Sequence, residues 1–343
     1  MFKQYLSKIF IFLALAVAIL IPHFVSAHEV YVLSSAEIQT AIHTPSVPFL
    51  TVLRENLKLF SFWAFLGIIA VISIFLLSIM RIMEKTFDPF FAKTKAWAPI
   101  ISRVTVGVSF LAAAYYQASY GPELPLRAAY GSFTPIITII LIIIGLLIIA
   151  DVYVRIAALV ALLFYSIAVY HHGWYMLTYT NYLGEIILLL IVGAQTAVTD
   201  GKGFLAKTAK KLKPYGFLIL RVFFGIALIY TSFYAKILYS NLALFTVEQY
   251  HLTKYLHFEP HFLVLGAACV EILIGLFFIL GIEIRATALF LLFWLTQSLL
   301  FFGEVVWPHI ILIGIPIAFF FYGYDKYSVE GYFFKKGNRE PVL

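Results

Sequence analysis

The chain has 343 residues, of which 63% are hydrophobic and 12% charged, against about 25% charge in a typical soluble domain. A mean hydropathy of +0.97 excludes an ordinary soluble globule and leaves an all-α polytopic membrane protein. The net charge of +7 is then a matter of topology, not of nucleic-acid binding.

Residues 1–27 have the form of a secretory signal. Lys3 and Lys8 give a basic start, Ile9 to Ile21 an apolar stretch, and Val25-Ser26-Ala27 a small-residue cleavage site. Cleavage leaves His28 as the new terminus; the competing reading is an uncleaved anchor. An outer segment, 28–58, precedes apolar runs that predict helices near 59–80, 100–118, 133–151, 155–170, 182–198, 215–238, 260–281, 285–302 and 308–323. That makes nine transmembrane helices after the signal.

The connections 81–95 and 200–213 and the tail 325–339 hold most of the Lys and Arg. Nine alternating spans with the mature N-terminus outside place all three in the cytoplasm, as the positive-inside rule requires. The location implied is the inner (plasma) membrane, with the C-terminus cytoplasmic. His28, His43, His171, His172, His251, His257, His261 and His309 fall on or near the outer face instead. Metal binding or proton exchange there is one explanation; the other is that Lys and Arg populate the inner loops and leave His to the outside. His28 with its free amine, joined by His43, is a weak copper-chelating candidate. The single cysteine, Cys269, excludes an internal disulfide, a CxxC pair and a Cys-rich metal site.

The chain also repeats. Arg103 and Gly107 match Arg221 and Gly225, and Gly145 and Arg155 match Gly275 and Arg285. The closing helices align with Glu185 opposite His309. The organisation expected is an extra helix and basic loop (59–98), a first four-helix unit (99–198), a linker (199–214), a second unit (215–323) and a tail (324–343). The units are parallel, unlike the inverted repeats of many transporters.

One carboxylate stands out. Glu271 lies ~15 Å into the run that begins at residue 261, by helical rise, near the middle of a ~30 Å hydrocarbon core. There it must be neutral, paired or turned to a polar cavity. Lys236, Arg221, Tyr230 and Tyr234 on the preceding helix are candidate partners, with Arg285 and His309 beyond it. The first half has Leu141 and Ala118 where the second has Glu271 and Lys236. The segment 171–182, HHGWYMLTYTNY, reads as an interfacial aromatic belt or as the wall of a pocket for a flat ring. Walker, GxGxxG and HExxH motifs are absent from the sequence, as is a ladder of paired His for haem.

The second unit resembles the DoxX/DoxD family. The residues that carry the likeness are Arg221, Gly225 and Lys236 on its first helix, then Glu271, Gly275, Gly281 and Arg285, with His309 opening the fourth. The resemblance implies a membrane protein of respiratory or sulfur redox chemistry, as in the membrane subunit of a thiosulfate:quinone oxidoreductase. Glu271, Lys236, Arg221 and His309 are then the catalytic candidates. Tyr230, Tyr234 and Arg285 are the candidates for holding a quinone, and electrons come from a membrane or periplasmic partner. The alternative is a non-enzymatic carrier or assembly protein for a metal, a lipid or a secreted client.

Overall fold

The structure, a computed structural model, describes residues 33, 35–194, 204–302 and 306–334. The expected signal segment, His28, residues 195–203, residues 303–305 and the tail beyond 334 lie outside the described residues.

Among the described residues the chain is helical, with one isolated β-bridge between Ala118 and Pro125. Helix α1 spans Ser35–His43, α2 Phe49–Asn56 and α3 Phe60–Thr94. The bend between α2 and the start of α3 is 88°. Helix α3 runs 35 residues, past the end expected near residue 80 and through the stretch read as a basic loop. Its far turns are held by tertiary contacts: buried Phe91 packs edge-on against Phe320 at 5.4 Å and lies 4.2 Å beneath the Arg285 guanidinium. Such docking overrides the local break signal of Pro89.

The rest forms two sets of helices. The first comprises α4 (Ala98–Tyr116), α5 (Thr134–Ala150), α6 (Val154–His172) and α7 (Thr180–Val192). Helix α8 (Phe204–Leu212), carrying Lys207, Lys210 and Lys211, links it to the second. That set comprises α9 (Gly216–Ser232), the short α10 (Ser240–Gln249), α11 (Pro260–Leu280), α12 (Ile284–Phe302) and α13 (His309–Tyr322). Among the described residues six apolar segments are long enough to cross a membrane, or seven if the bent pair α2–α3 is one span. Helix α7 has 13 residues and α13 has 14, about 20 Å each. Helix α7 runs on from α6 in a single apolar segment, Val154–Val192, and α13 is shorter than a ~30 Å hydrocarbon core, which is why length and composition alone fall short of the nine spans expected.

Helix α4 packs on α5, and α9 on α11. Glycines set both contacts. A Cβ on Gly225 would lie 2.5 Å from the Gly275 carbonyl oxygen, and one on Gly107 would lie 2.9 Å from that of Gly145. Only glycine at these crossings lets the backbones approach so closely. The closing helices then cross over: α7 lies on α9, and α13 lies on α4. Gly184 of α7 abuts Leu220 and Phe223, while Gly314 of α13 abuts Thr105. One buried core runs from Ala98 to Tyr324.

Gly145, Asp151, Arg155 and Gly193 recur at identical spacing as Gly275, Gly281, Arg285 and Gly323, with like contacts. Arg155 Nε donates to the Leu190 carbonyl at 3.1 Å and sits against Gly193. Arg285 Nε donates to the Phe320 carbonyl at 3.0 Å and sits against Gly323. This spacing corrects one alignment made from sequence. Glu185 lies opposite Ile315, and His309 opposite Tyr179, because Gly184 and Gly314 make the matching helix contacts.

One end of the bundle is basic, with Arg103, Arg155, Arg221 and Arg285 at its helix ends. The other is rich in tyrosine, with Tyr120, Tyr175, Tyr179 and Tyr234.

Candidate functional site

The site is built where α9 unwinds. Residues Phe233–Leu238 form a π-helical turn, a wider turn that re-aims side chains and recurs at functional sites. It directs Lys236 toward α11, where Nζ meets Glu271 Oε2 at 2.9 Å. The Lys236 side chain is 5% exposed and that of Glu271 19%. The lysine is therefore enclosed, while the carboxylate faces a partly open cleft of about 70 Å³. Tyr234, from the same π turn, lines that cleft together with Tyr175, Trp294 and Leu295. A second, smaller cavity of about 10 Å³ touches Lys236 from the other side, near His261.

An ion pair is the arrangement that makes a mid-membrane carboxylate tolerable. Burial penalises each charge, and the partner with its hydrogen bond offsets that cost. The tight α9–α11 crossing at Gly225 and Gly275 brings the two side chains within reach.

The other candidates lie elsewhere. Arg221 is fully buried but points to the basic end. It donates to the Tyr327 carbonyl at 3.2 Å and sits against Gly281, ~15 Å along α11 from Glu271 by helical rise. Asp325 and Glu330, on the segment after α13, are its carboxylate neighbours. The expectation that Arg221 joins Glu271 is therefore corrected. Gly281 leaves room at the helix end, and the returning tail supplies the counter-charges. Arg285 also belongs to the basic end, held by the Phe320 carbonyl and the Phe91 ring; the first turn of α12 does not reach the cleft. His309 is buried as the first residue of α13, next to Pro308, which lines the cleft. Tyr230 stands 6.4 Å from Tyr234, ring to ring.

His43 is exposed, with its Nδ1 2.8 Å from the Gln39 carbonyl oxygen. Among the described residues no group of three or more His, Cys, Asp and Glu could hold a metal ion.

The aromatic segment read as a belt or a pocket wall meets the cleft directly, with Tyr175, Thr178, Tyr179, Asn181 and Tyr182 all lining it. Two contributors had no signal in the sequence. Trp294 lies amid an apolar run, and Glu123 lies in the connection after α4. The Tyr175 hydroxyl donates to Glu123 Oε1 at 2.9 Å, and the Tyr179 hydroxyl donates to the same oxygen. Tyr175 packs 5.1 Å from Tyr234, so an aromatic wall runs from Glu123 down to the ion pair. Outside the spans, Glu259 caps α11 by accepting from the Phe262 amide at 3.0 Å. Partial burial opposes its charge, but His261 and the backbone donors outweigh that and hold its carboxyl below the ordinary value.

Residues 216–304 match the family model described as DoxX. The match begins at α9 and contains both Lys236 and Glu271. No curated protein and no solved structure matches the chain.

Proposed function

We propose that the chain, an integral membrane protein whose residues 216–304 match the DoxX family model, is the membrane subunit of a quinone-linked redox system. The Lys236–Glu271 pair at the foot of an aromatic cleft carries this reading. Quinone reduction takes up two electrons and two protons. A redox partner subunit supplies the electrons, and the cleft supplies protons and orientation. Glu271, which lines the cleft, would take up a proton from water and hand it to a ring carbonyl oxygen, and Lys236, enclosed behind it, would hold the carboxylate in place. Tyr234, Tyr175 and Trp294 offer faces on which a flat ring stacks.

The residues present fit such a ring in chemistry, since apolar and aromatic walls surround a few convergent polar groups. The volume of about 70 Å³ is roughly half that of a cavity known to admit benzene, ~150 Å³. A head group therefore reaches the pair only as the aromatic walls part to widen the cleft.

The proposal includes the topology. Nine spans place the basic end in the cytoplasm and the tyrosine end outside, in the inner membrane, with two parallel four-helix units. Lys207, Lys210 and Lys211 on α8, exposed at the basic end, support that orientation. A reporter fused after Leu343 is expected to be active in the cytoplasm; activity outside overturns the orientation.

Binding is tested through Trp294. Titration of the detergent-solubilised protein with a short-chain benzoquinone is expected to quench tryptophan fluorescence saturably. Trp294→Phe should lose that component, and Glu271→Gln should weaken the affinity at least about tenfold, the value of ~1.4 kcal/mol. Quenching that never saturates, or is the same in both variants, overturns the reading.

A further inference from the structure

The first half holds a second polar constellation, separate from the Lys236–Glu271 pair. Glu185, in the second turn of α7, is 0% exposed. Neither of its oxygens makes a well-formed hydrogen bond; the polar group facing it is the fully buried hydroxyl of Ser102 on α4. Ser102, Thr105 and Ser109 share one face of α4 by their spacing, and Ser109 donates to the Thr105 carbonyl at 2.9 Å. On α7, Tyr182 lies about one turn before Glu185 on the same face, and its hydroxyl faces Ser109. Tyr182 packs 4.8 Å from Tyr120 and 6.2 Å from Tyr179. Tyr179 in turn donates to Glu123, a half-buried carboxylate in the connection at the tyrosine end.

Polar groups thus follow one another from that surface to Ser109, and the Ser109–Thr105–Ser102 face of α4 leads on over two turns, ~10 Å, to a carboxyl sealed in the bundle. Several of them, Ser102 Oγ, Asn181 Oδ1, the Tyr120 hydroxyl and both Glu185 oxygens, are buried without a protein partner.

Packing does not require this. At the same spacing in the second half, Glu185 becomes Ile315, Ser102 becomes Leu220, Thr105 becomes Phe223 and Ser109 becomes Ala227. Asn181 and Tyr182 become Ile311 and Leu312. The matching positions there are therefore apolar. Leaving a buried polar group without a partner costs about 1–3 kcal/mol, so the apolar version is the more stable solution. The cations on neighbouring elements are engaged elsewhere. Arg103 is paired with Asp151, Arg221 with the tail, and Arg155 with the last carbonyls of α7. Lys207, Lys210 and Lys211 of α8 are exposed. On α6, Tyr165 donates to the Met176 carbonyl, and His309 sits at the opposite, tyrosine-end start of α13. An isolated carboxylate in such surroundings is stable only as the neutral acid.

We infer that Glu185 is a proton-binding site inside the membrane, reached from the tyrosine end through Glu123, Tyr179, Tyr182 and Ser109. The ligand is a proton, taken up by the carboxylate and released as Glu185 ionises, with no bond to any other group formed or broken. The inference uses none of the atoms of the Lys236–Glu271 pair, although Tyr179 and Tyr182 also line the cleft.

Infrared difference spectroscopy of the protein in lipid nanodiscs tests it. A carbonyl stretch of a protonated carboxylic acid is expected in the wild type. It should shift on transfer to D₂O, remain in Glu271→Gln and be lost in Glu185→Gln. Its exchange with D₂O should slow at least about tenfold in Tyr182→Phe and in Glu123→Gln, each of which removes one proton carrier. These two changes keep the ring or the shape of the side chain, so the test holds even if Glu185→Gln fails to fold. An acid band that survives Glu185→Gln, or exchange at the wild-type rate in both other variants, overturns the site.

Discussion

Between α9 and α11 in the second half, Lys236 meets Glu271 at 2.9 Å, where the first half places the buried apolar residues Ala118 and Leu141. Between α4 and α7 in the first half, Glu185 faces Ser102, where the second half places Ile315 and Leu220. The frames match at the glycine crossings and at the arginines that close the basic end, yet each half keeps its polar groups in a different seam. Only one seam carries a full ion pair. The difference teaches that the four-helix frame does not need either site. Each is an added cost on a scaffold that an apolar residue satisfies at the matching position.

The basic ends show a smaller version of the same contrast. Arg103 is paired with Asp151, which caps α5 from within the first half. In the second half Gly281 takes the position of Asp151, and the counter-charges Asp325 and Glu330 arrive on the returning tail. Glu330 Oε2 also accepts from the Ile284 amide at 3.0 Å, capping α12. Truncation after Tyr324 removes these groups and leaves Arg221 buried without them. The expected loss is about 3–5 kcal/mol, that of removing one partner of a buried pair. Hydrogen exchange should rise at the α11–α12 corner and stay unchanged at α5–α6. Equal loosening of both corners would break the contrast.

The glycine crossings should respond alike. Gly225→Leu and Gly107→Leu each force a side chain into the partner backbone, costing about 1–3 kcal/mol or more by overpacking. A large penalty in one half alone would mean that the two frames are not equivalent. At the seams the signs should differ. Glu185→Ile, which copies Ile315, is expected to stabilise the first half by about 1–3 kcal/mol, by removing an unpartnered polar group. Unfolding in bicelles reads both effects, and a destabilised Glu185→Ile variant would show that the carboxyl is a packing element. The smallest effect is expected outside the bundle. Glu259→Ala removes the cap of α11 and should cost about 1 kcal/mol.

Much of the frame was legible because lipid leaves few options. Apolar runs ended by charges located the helices, and the repeat of Arg103–Gly107 in Arg221–Gly225 located the matching crossings. The Lys236–Glu271 pair was legible for the same reason, since a carboxylate at mid-depth needs a partner and helical rise put Lys236 ~9 Å nearer the outer end, about the reach of its side chain. Arg221 was misplaced because depth alone does not distinguish a side chain turned along the helix from one turned across it, and its partners arrive from the far end of the chain. Helix α3 outran its expected end because Phe91 docks on Phe320. Glu185 was aligned with His309, since the register of α7 against α13 follows from contacts of Gly184 and Gly314 that no local pattern reveals. The π turn that aims Lys236 left no trace in the residues Phe233–Leu238.

The most direct test of the central claim is a double-mutant cycle on Lys236 and Glu271, read by equilibrium unfolding in bicelles. Lys236→Ala alone leaves the Glu271 carboxylate without its cation and should cost about 3–5 kcal/mol. Lys236→Ala combined with Glu271→Gln removes that charge and should cost less than the single change, with a coupling of about 0.5–3 kcal/mol. Strictly additive effects would contradict the pair and the site built on it.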